Sequence, residues 1–214
     1  VDIVTQLREL SLVPLVHLPD QLAARIDRRK GELDPERHVW ILLVDGVSAK
    51  EDLLTPFFSQ AAPRVGLVGG SLGDDADFED TRLCHYGRVY RDAAAVILLE
   101  YDRPFSVLHH THMQFTDHWI EATRTARGGR VLVEADGKPA VAGYADALGM
   151  ESGDITWPLV SRRPLGYRFR GRPFPCSILQ IRDDGSFLLG SSVQRGETLN
   201  ILSPAELVSS STKA

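Results

Sequence analysis

The densest group of potential metal ligands in this sequence is HHTHMQFTDHW, residues 109–119, which holds four of the seven histidines. His110 and His112 are two residues apart, so on a β-strand their imidazoles would project from one face and His109 from the other. Two histidines on one face could begin a zinc site, but a third ligand would have to come from His118 or a distant carboxylate. The alternative is a set of partly exposed histidines on an edge strand.

Haem requires fewer protein ligands than zinc, because one neutral imidazole can hold the iron while apolar side chains bury the macrocycle. Such side chains lie close by in the sequence, at Phe105, Leu108, Met113, Phe115 and Trp119. The histidine pattern by itself therefore leaves zinc, haem and purely structural histidines open.

A second candidate site is GGSLG, residues 69–73, which satisfies the G-x-S-x-G pattern of the serine-hydrolase nucleophile elbow. An elbow is followed at once by a helix, whereas the segment LGDDADFEDT after Ser71 favours a loop. Without catalysis, the same glycines would let backbone N–H groups approach an anion such as a carboxylate. The residues expected to bind a ligand here are Gly69, Gly70, Ser71, Gly73 and Asp74, and a serine hydrolase that uses Ser71 is the alternative function.

Composition restricts the classes of function. The chain has 214 residues, 43% of them hydrophobic and 25% charged, as in ordinary globular domains. Its net charge of −5 disfavours nucleic acid and anionic membranes as partners, although arginines cluster in residues 161–173. Cys84 and Cys176 form neither a disulfide framework nor a CxxC metal motif, and no apolar run is long enough for a membrane span. We therefore expect a cytoplasmic protein.

Alternating helical and strand patterns predict an α/β layer in the first part of the chain. Residues 19–37 are expected to form an amphipathic helix, and the VWILLV run a buried strand that ends at an Asp-Gly turn. Ser48 and Glu51 have the spacing of a capping box, which predicts a second helix. A short strand should follow, ending in the glycine-rich turn at residues 69–73.

Strand patterns become more frequent after this layer. LCHYGRVYRDAAAVILLEY predicts two strands joined at HYGR, and FSVLHHTHMQF would extend their sheet. A helix at KPAVAGYADALG should stop at Gly149, and Asp-Asp-Gly-Ser at residues 183–186 predicts a tight hairpin. The predicted fold class is α/β, a layered mixed sheet with flanking helices followed by a mostly β C-terminal segment. A domain boundary is expected near residues 151–154.

Several of these segments, in this order, resemble a known family. The segments are LVDGVS (43–48), VGLVGGSLGDD (65–75), GRVYRDAAAVILL (87–99) and ADGKPAVAGYADALG (135–149). They are similar to the N-terminal part of a FIST domain, named for F-box and intracellular signal transduction proteins. The tail, with WPLV, RPLGYR and DDGSFLL, resembles the start of the family's C-type region. Residues 1–150 would then be a partial N-type region and residues 151–214 a partial C-type region, with the chain shortened at both ends.

The resemblance implies a non-enzymatic sensory domain that binds a small ligand, such as an amino acid. Relatives of this kind regulate histidine kinases or diguanylate cyclases in two-component and related signalling systems. One branch of the family senses nitric oxide through haem bound by a histidine. Its histidine precedes a Gly-Trp pair, and by position His112 corresponds to it, although Met113 and Gln114 stand here in place of that pair. The resemblance therefore implies haem iron at His112, with His110 and His109 as the next candidates.

Overall fold

The computed structural model describes residues 1–74, 79–108, 110–169 and 171–205. The chain divides into two compact units, Val1–Leu108 and His109–Ala214, each with its own apolar core. The division does not fall near residues 151–154, because Ile120 and Tyr144 belong to the same core as Leu199. The assignment of residues 1–150 and 151–214 to two family regions concerns sequence similarity and not compactness, and it stays a prediction.

The elements of the first unit are β1 (Asp2–Thr5), α1 (Leu18–Ala24), β2 (His38–Asp45), α2 (Glu51–Ala61), β3 (Gly66–Leu72), β4 (Leu83–His85), β5 (Arg88–Tyr90) and β6 (Ala93–Glu100). Four of the strands form a mixed sheet with the order β1-β6-β2-β3. Strands β2 and β3 are parallel and α2 connects them, while β6 is antiparallel to both β1 and β2. A separate small hairpin consists of β4 and β5.

The core of the first unit lies between this sheet and its helices. Alternate residues of β2 point to the helical side, so Trp40 and Leu42 pack in one cluster with Leu54 and Phe58 of α2. The Trp40 and Phe58 rings are 5.7 Å apart between centroids. Burial of each large apolar side chain contributes about 1.5–3 kcal/mol to folding, so this contact holds α2 against the sheet. Pro56 lies inside α2 and provides no backbone N–H there.

Both helices of the first unit are shorter than the sequence patterns predicted. The helix expected at residues 19–37 ends at Ala24, because Asp27 adopts a left-handed conformation (φ 54°) and the Arg28 N–H bonds back to the Ala23 carbonyl. Ser48 is not the cap of α2. Its hydroxyl donates to the Asp45 carbonyl at 2.6 Å instead, and the helix begins only at Glu51.

The elements of the second unit are β7 (Met113–Gln114), β8 (Trp119–Ala126), β9 (Val131–Ala135), β10 (Lys138–Pro139), α3 (Ala140–Leu148), α4 (Trp157–Arg162), β11 (Leu165–Phe169), β12 (Arg172–Cys176), β13 (Ile178–Ile181), β14 (Phe187–Leu189), β15 (Thr198–Ile201) and β16 (Ser203–Pro204). Its main sheet is antiparallel with the strand order β12-β11-β15-β8-β9-β14-β13, and β10 pairs with β9. A further two-stranded ladder pairs β7 with β16.

Two local predictions in the second unit are confirmed. Helix α3 ends where Gly149 adopts the left-handed conformation, with φ 67°. Strands β13 and β14 form the hairpin around residues 183–186, where the Asp184 carboxylate accepts hydrogen bonds from the Ser186 N–H and hydroxyl. These bonds hold the pKa of Asp184 below its ordinary value.

Two predictions about the middle of the chain are wrong in detail. HYGR does join two strands, but these are the short β4 and β5, and β6 is a third strand that starts after Asp92 breaks the run at φ 47°. The segment FSVLHHTHMQF does not extend the sheet. Of the residues described in it, only Met113 and Gln114 form a strand, and they pair with Pro204 and Ser203.

The predicted fold class is confirmed, because a mixed sheet with flanking helices is followed by a mostly β C-terminal part. Within the described part of the chain, no helix combines the length and apolar character needed to span a bilayer. The cytoplasmic location stays a prediction.

The pairing of β2 with β3 predicts opposite tolerances at two adjacent glycines. A Cβ at Gly69 would lie 1.8 Å from the Leu42 carbonyl oxygen, whereas nothing lies within 4 Å of a Cβ at Gly70. Gly69→Ala should therefore lower the free energy of unfolding by about 1–3 kcal/mol, and Gly70→Ala should change it by no more than about 0.5 kcal/mol. Urea unfolding followed by circular dichroism measures both. Equal midpoints for the two variants would contradict this close approach of the strands.

Candidate ligand-binding site

A cleft of about 270 Å³ lies between β3 and α2, at the edge of the first sheet. Apolar side chains of β2 and β3 form its floor, α2 contributes two polar residues, and the β3 backbone lies open along one side. Its lining consists of Leu42, Val44, Leu67 and Val68, of Glu51 and Thr55, and of residues 69–71. This volume is slightly below the range of about 300–1,000 Å³ that is usual for drug-sized ligands, so the cleft suits a small molecule.

Ser71 and Glu51 form the polar end of the cleft. The Ser71 hydroxyl donates to the Glu51 carboxylate with an oxygen–oxygen distance of 2.5 Å. A hydrogen bond to a carboxylate is stronger than one between neutral groups, so this contact orients Glu51 at the rim. A fixed carboxylate favours a positively charged group such as an ammonium. The electrostatics at this end of the cleft therefore suit an ammonium better than the carboxylate expected from the sequence.

The glycines at this site are strand residues and do not form the predicted turn. Seven parallel pairs, from Val39–Gly66 to Asp45–Leu72, continue the ladder through Gly69, Gly70 and Ser71. The regular pairing with β2 therefore overrides the weak strand preference of glycine. Only Gly73 and Asp74 lie beyond the strand. The Asp74 carboxylate accepts the backbone N–H groups of Glu79 and Asp80.

A buried aspartate fixes the end of β2 next to this site. Asp45 is 3% exposed, and its Oδ1 accepts hydrogen bonds from the Thr81 hydroxyl and from the Val47 N–H. Its backbone carbonyl accepts the Ser48 hydroxyl, and the Gly46 N–H bonds to the Leu72 carbonyl of β3. These contacts tie together the loop after β2, the end of β3 and the segment that leads to β4.

A larger cavity, of about 460 Å³, lies beside β1 and the loop that leads to α1. Its lining includes Asp2, Glu9, Leu10, Leu15 and Gln21. Asp2 is already paired with Arg25 at 3.0 Å. The smaller cleft at β3 is the candidate ligand site, because an oriented carboxylate and an exposed glycine backbone meet there.

The structure does not bring the predicted histidine ligands together on a strand. His110 is exposed and His112 is half-buried, and neither belongs to a strand, so they share no strand face. The backbone carbonyl of His112 accepts the Ala205 N–H, which helps to hold β7 against β16. His109 lies outside the described residues. In the described ranges, no group of three or more His, Cys, Asp and Glu side chains is arranged to hold a metal ion.

Two of the apolar residues expected to bury a haem are themselves exposed to solvent. Leu108 and Trp119 are 79% and 56% exposed. The Phe115 ring is covered by the Arg168 guanidinium, 3.7 Å from the ring centroid. The described residues around His112 therefore add no geometric support for haem, and haem binding stays a prediction of the sequence.

Ser71 does not occupy a nucleophile elbow. The elbow needs a sharp turn from strand to helix, whereas Ser71 lies inside β3, which continues to Leu72. Its hydrogen-bond acceptor is the carboxylate of Glu51, where a triad would place an imidazole.

Sequence reasoning found the strand side of the cleft but missed its helix side. Glu51 drew attention only as part of a capping box, and Thr55 drew none. A signal was available, because the first turn of the helix in a strand–helix–strand unit lies near the carboxyl ends of the two parallel strands. Glu51 and Thr55 are one helical turn apart, which places them on the same face of α2.

Comparison with known proteins gives one family match. The FIST N domain matches residues 3–138, which is more than half of the chain and includes every residue of the cleft. No curated protein and no solved structure gives a significant match.

The Asp45 contacts predict a specific sensitivity at Thr81. Thr81→Val removes the hydroxyl that donates to a buried carboxylate, so the free energy of unfolding should fall by about 1–3 kcal/mol. Thr81→Ser should restore most of it, because the hydroxyl returns. Thr198→Val is the matched control at an exposed strand position. The midpoint of urea unfolding reports each effect, and equal midpoints for Thr81→Val and Thr198→Val would refute this role of Asp45.

Proposed function

The chain belongs to the FIST family of sensory signal-transduction domains, and from this membership we propose that it senses a small ligand bound in the cleft between β3 and α2. The observation that carries the proposal is the oriented Ser71–Glu51 pair at the end of an apolar cleft with an exposed backbone. The proposed ligand has a small apolar body and an ammonium group, as an amino acid or a short amine has.

Each part of the cleft has a role in this proposal. The Glu51 carboxylate attracts the ammonium of the ligand, and the Ser71 hydroxyl holds this Glu51 carboxylate in position. Leu42 and Leu67 contact the apolar body of the ligand. The backbone of β3 offers hydrogen bonds to the remaining polar atoms. Because Gly70 has no side chain, the ligand can approach that backbone closely.

A sensor transmits a signal only if the ligand binds two conformations with unequal affinity. A ligand in this cleft contacts α2 and β3 together, so it stabilises the arrangement in which both contacts exist. The proposed output is a change in the activity of a partner such as a histidine kinase or a diguanylate cyclase. No chemical conversion of the ligand is part of the proposal.

A panel of amino acids and their decarboxylated amines, added to the purified protein in a thermal-shift assay, tests ligand binding. We expect at least one compound to raise the melting temperature, because a ligand at about one hundred times its Kd stabilises the native state by about 2.7 kcal/mol. Thr55→Phe fills the cleft from an exposed helix position and should abolish this rise. Gln60→Phe makes the same change on α2 outside the cleft lining and should leave it intact.

Three outcomes would contradict the proposal. They are a panel with no stabilising compound, equal stabilisation of Thr55→Phe and the unchanged protein, and turnover of a chromogenic ester that disappears in Ser71→Ala. The last outcome would favour a hydrolase.

Haem has a separate test at His112. A visible absorption spectrum recorded with added haem should show a strong Soret band that is lost in His112→Ala if this histidine binds the iron. His110→Ala is the matched control. No band in the unchanged protein, or an equal band in both variants, would remove His112 as the ligand.

A further inference from the structure

The sheet of the first unit ends in β1 and β3, and the larger sheet of the second unit ends in β12 and β13. An edge strand exposes a row of backbone N–H and C=O groups that can pair with another chain. Natural proteins therefore cover or block such edges with prolines, charged side chains or neighbouring elements. These four end strands differ in how far the described residues block them.

Both edges of the second sheet are obstructed. Strand β12 contains Pro173 and Pro175, two positions without an N–H to donate to a new strand. At β13, the indole Nε1 of Trp157 donates to the Leu179 carbonyl at 3.2 Å, so α4 covers that edge. Pairing with a further strand is disfavoured at each of them.

The edge at β1 carries its own side-chain contacts. Asp2 Oδ1 accepts the N–H of Ile3 at 2.9 Å, and Arg25 Nη1 donates to the Val1 carbonyl at 3.0 Å. Arg25 also binds the Asp2 carboxylate, which fixes both side chains across the beginning of the strand. A new strand would have to displace a charged pair.

The edge at β3 is the least blocked of these four within the described ranges. Its sequence, GLVGGSL, contains no proline and no charged residue. Val107 packs beside Gly66 at the start of the strand, but Val68 is 37% exposed, and Gly69, Gly70 and Ser71 are exposed. The Leu72 carbonyl accepts the Gly46 N–H on the β2 side, so the peptide groups of the preceding residue, Ser71, face the open side.

Charge indicates what kind of segment this edge would accept. Glu51 lies beside the end of β3, and the first unit carries more acidic than basic residues. A second copy of the chain would bring like net charge to the edge, whereas a basic segment would be attracted. The apolar cleft adjoins the same edge, so one apolar side chain of the added strand can enter it.

We propose that the free edge of β3 binds an extended, basic segment of a signalling partner as a fifth strand of the sheet. Backbone hydrogen bonds to residues such as Ser71 supply affinity, and a lysine or arginine near Glu51 supplies selectivity. Because the segment also uses the cleft, it competes with the ligand. The competition rests on the proposed ligand site, while strand addition does not depend on it.

A fluorescein-labelled peptide of alternating valine and lysine is the probe, and fluorescence anisotropy reports its binding to the full chain. We expect saturable binding that weakens when the lysines are replaced by glutamates. Ser71→Pro removes an outward N–H and should weaken binding about tenfold, since one hydrogen bond contributes about that factor. Gln60→Phe, on α2 outside the cleft lining, is the control and should bind the peptide like the unchanged protein.

Absence of peptide binding, or equal affinities of Ser71→Pro and Gln60→Phe, would overturn strand addition. If circular dichroism shows that Ser71→Pro does not fold, hydrogen exchange on the unchanged protein tests instead whether the peptide pairs with β3. The peptide should then slow exchange within residues 67–71, and protection only elsewhere would overturn the proposal. Peptide binding without any stabilising compound in the thermal-shift panel would refute the ligand site and leave strand addition standing.

Discussion

The parallel pairing of β2 with β3 is the contact on which the first unit depends. Parallel neighbours cannot be joined by a tight turn, so the chain must cross over through a helix, and α2 is that connection. Trp40 and Phe58 hold the helix on the sheet. The two strands approach so closely at Leu42 and Gly69 that no side chain fits between them. The cleft follows from this geometry, since a helix lies over a strand that has little side-chain volume of its own.

Hydrogen bonds to Asp45 hold the carboxyl end of β2 in place beside the cleft. A carboxylate that is almost fully buried is stable only if hydrogen-bond donors surround it, and Thr81 and Val47 supply them. The polar network therefore stabilises the loops beside the cleft without presenting a free charge to the ligand. Glu51 differs from Asp45 in its position, because it lines the cleft and is half-buried.

Sequence reasoning succeeded where local chemistry and structure agree. The apolar run of β2, the glycine stop of α3 and the hairpin at residues 183–186 each depend on contacts within a few residues, so their patterns were sufficient. The family resemblance also came from segments in a fixed order, and the match to residues 3–138 covers the first three of them, which end at residue 99.

Prediction from the sequence failed where contacts between residues far apart in the chain determine the local structure. The glycines of β3 are extended because β2 pairs with them, and nothing within GGSLG itself indicates that ladder. From His110 to His112 the histidine segment forms no strand, because the ladder with β16 spans only Met113 and Gln114. The helix side of the cleft was missed for a similar reason, since Glu51 and Ser71 are twenty residues apart in the chain.

The tight fit at Gly69 also limits how such a site can change during evolution or design. A wall that cannot accept a side chain cannot be used to alter the shape of the cleft. Variation in ligand size must then come from Gly70, where an added side chain meets no other atom, or from α2, where Thr55 is exposed. Relatives with the same strand pair but different residues at this helix position would share one scaffold and differ in the compounds they detect.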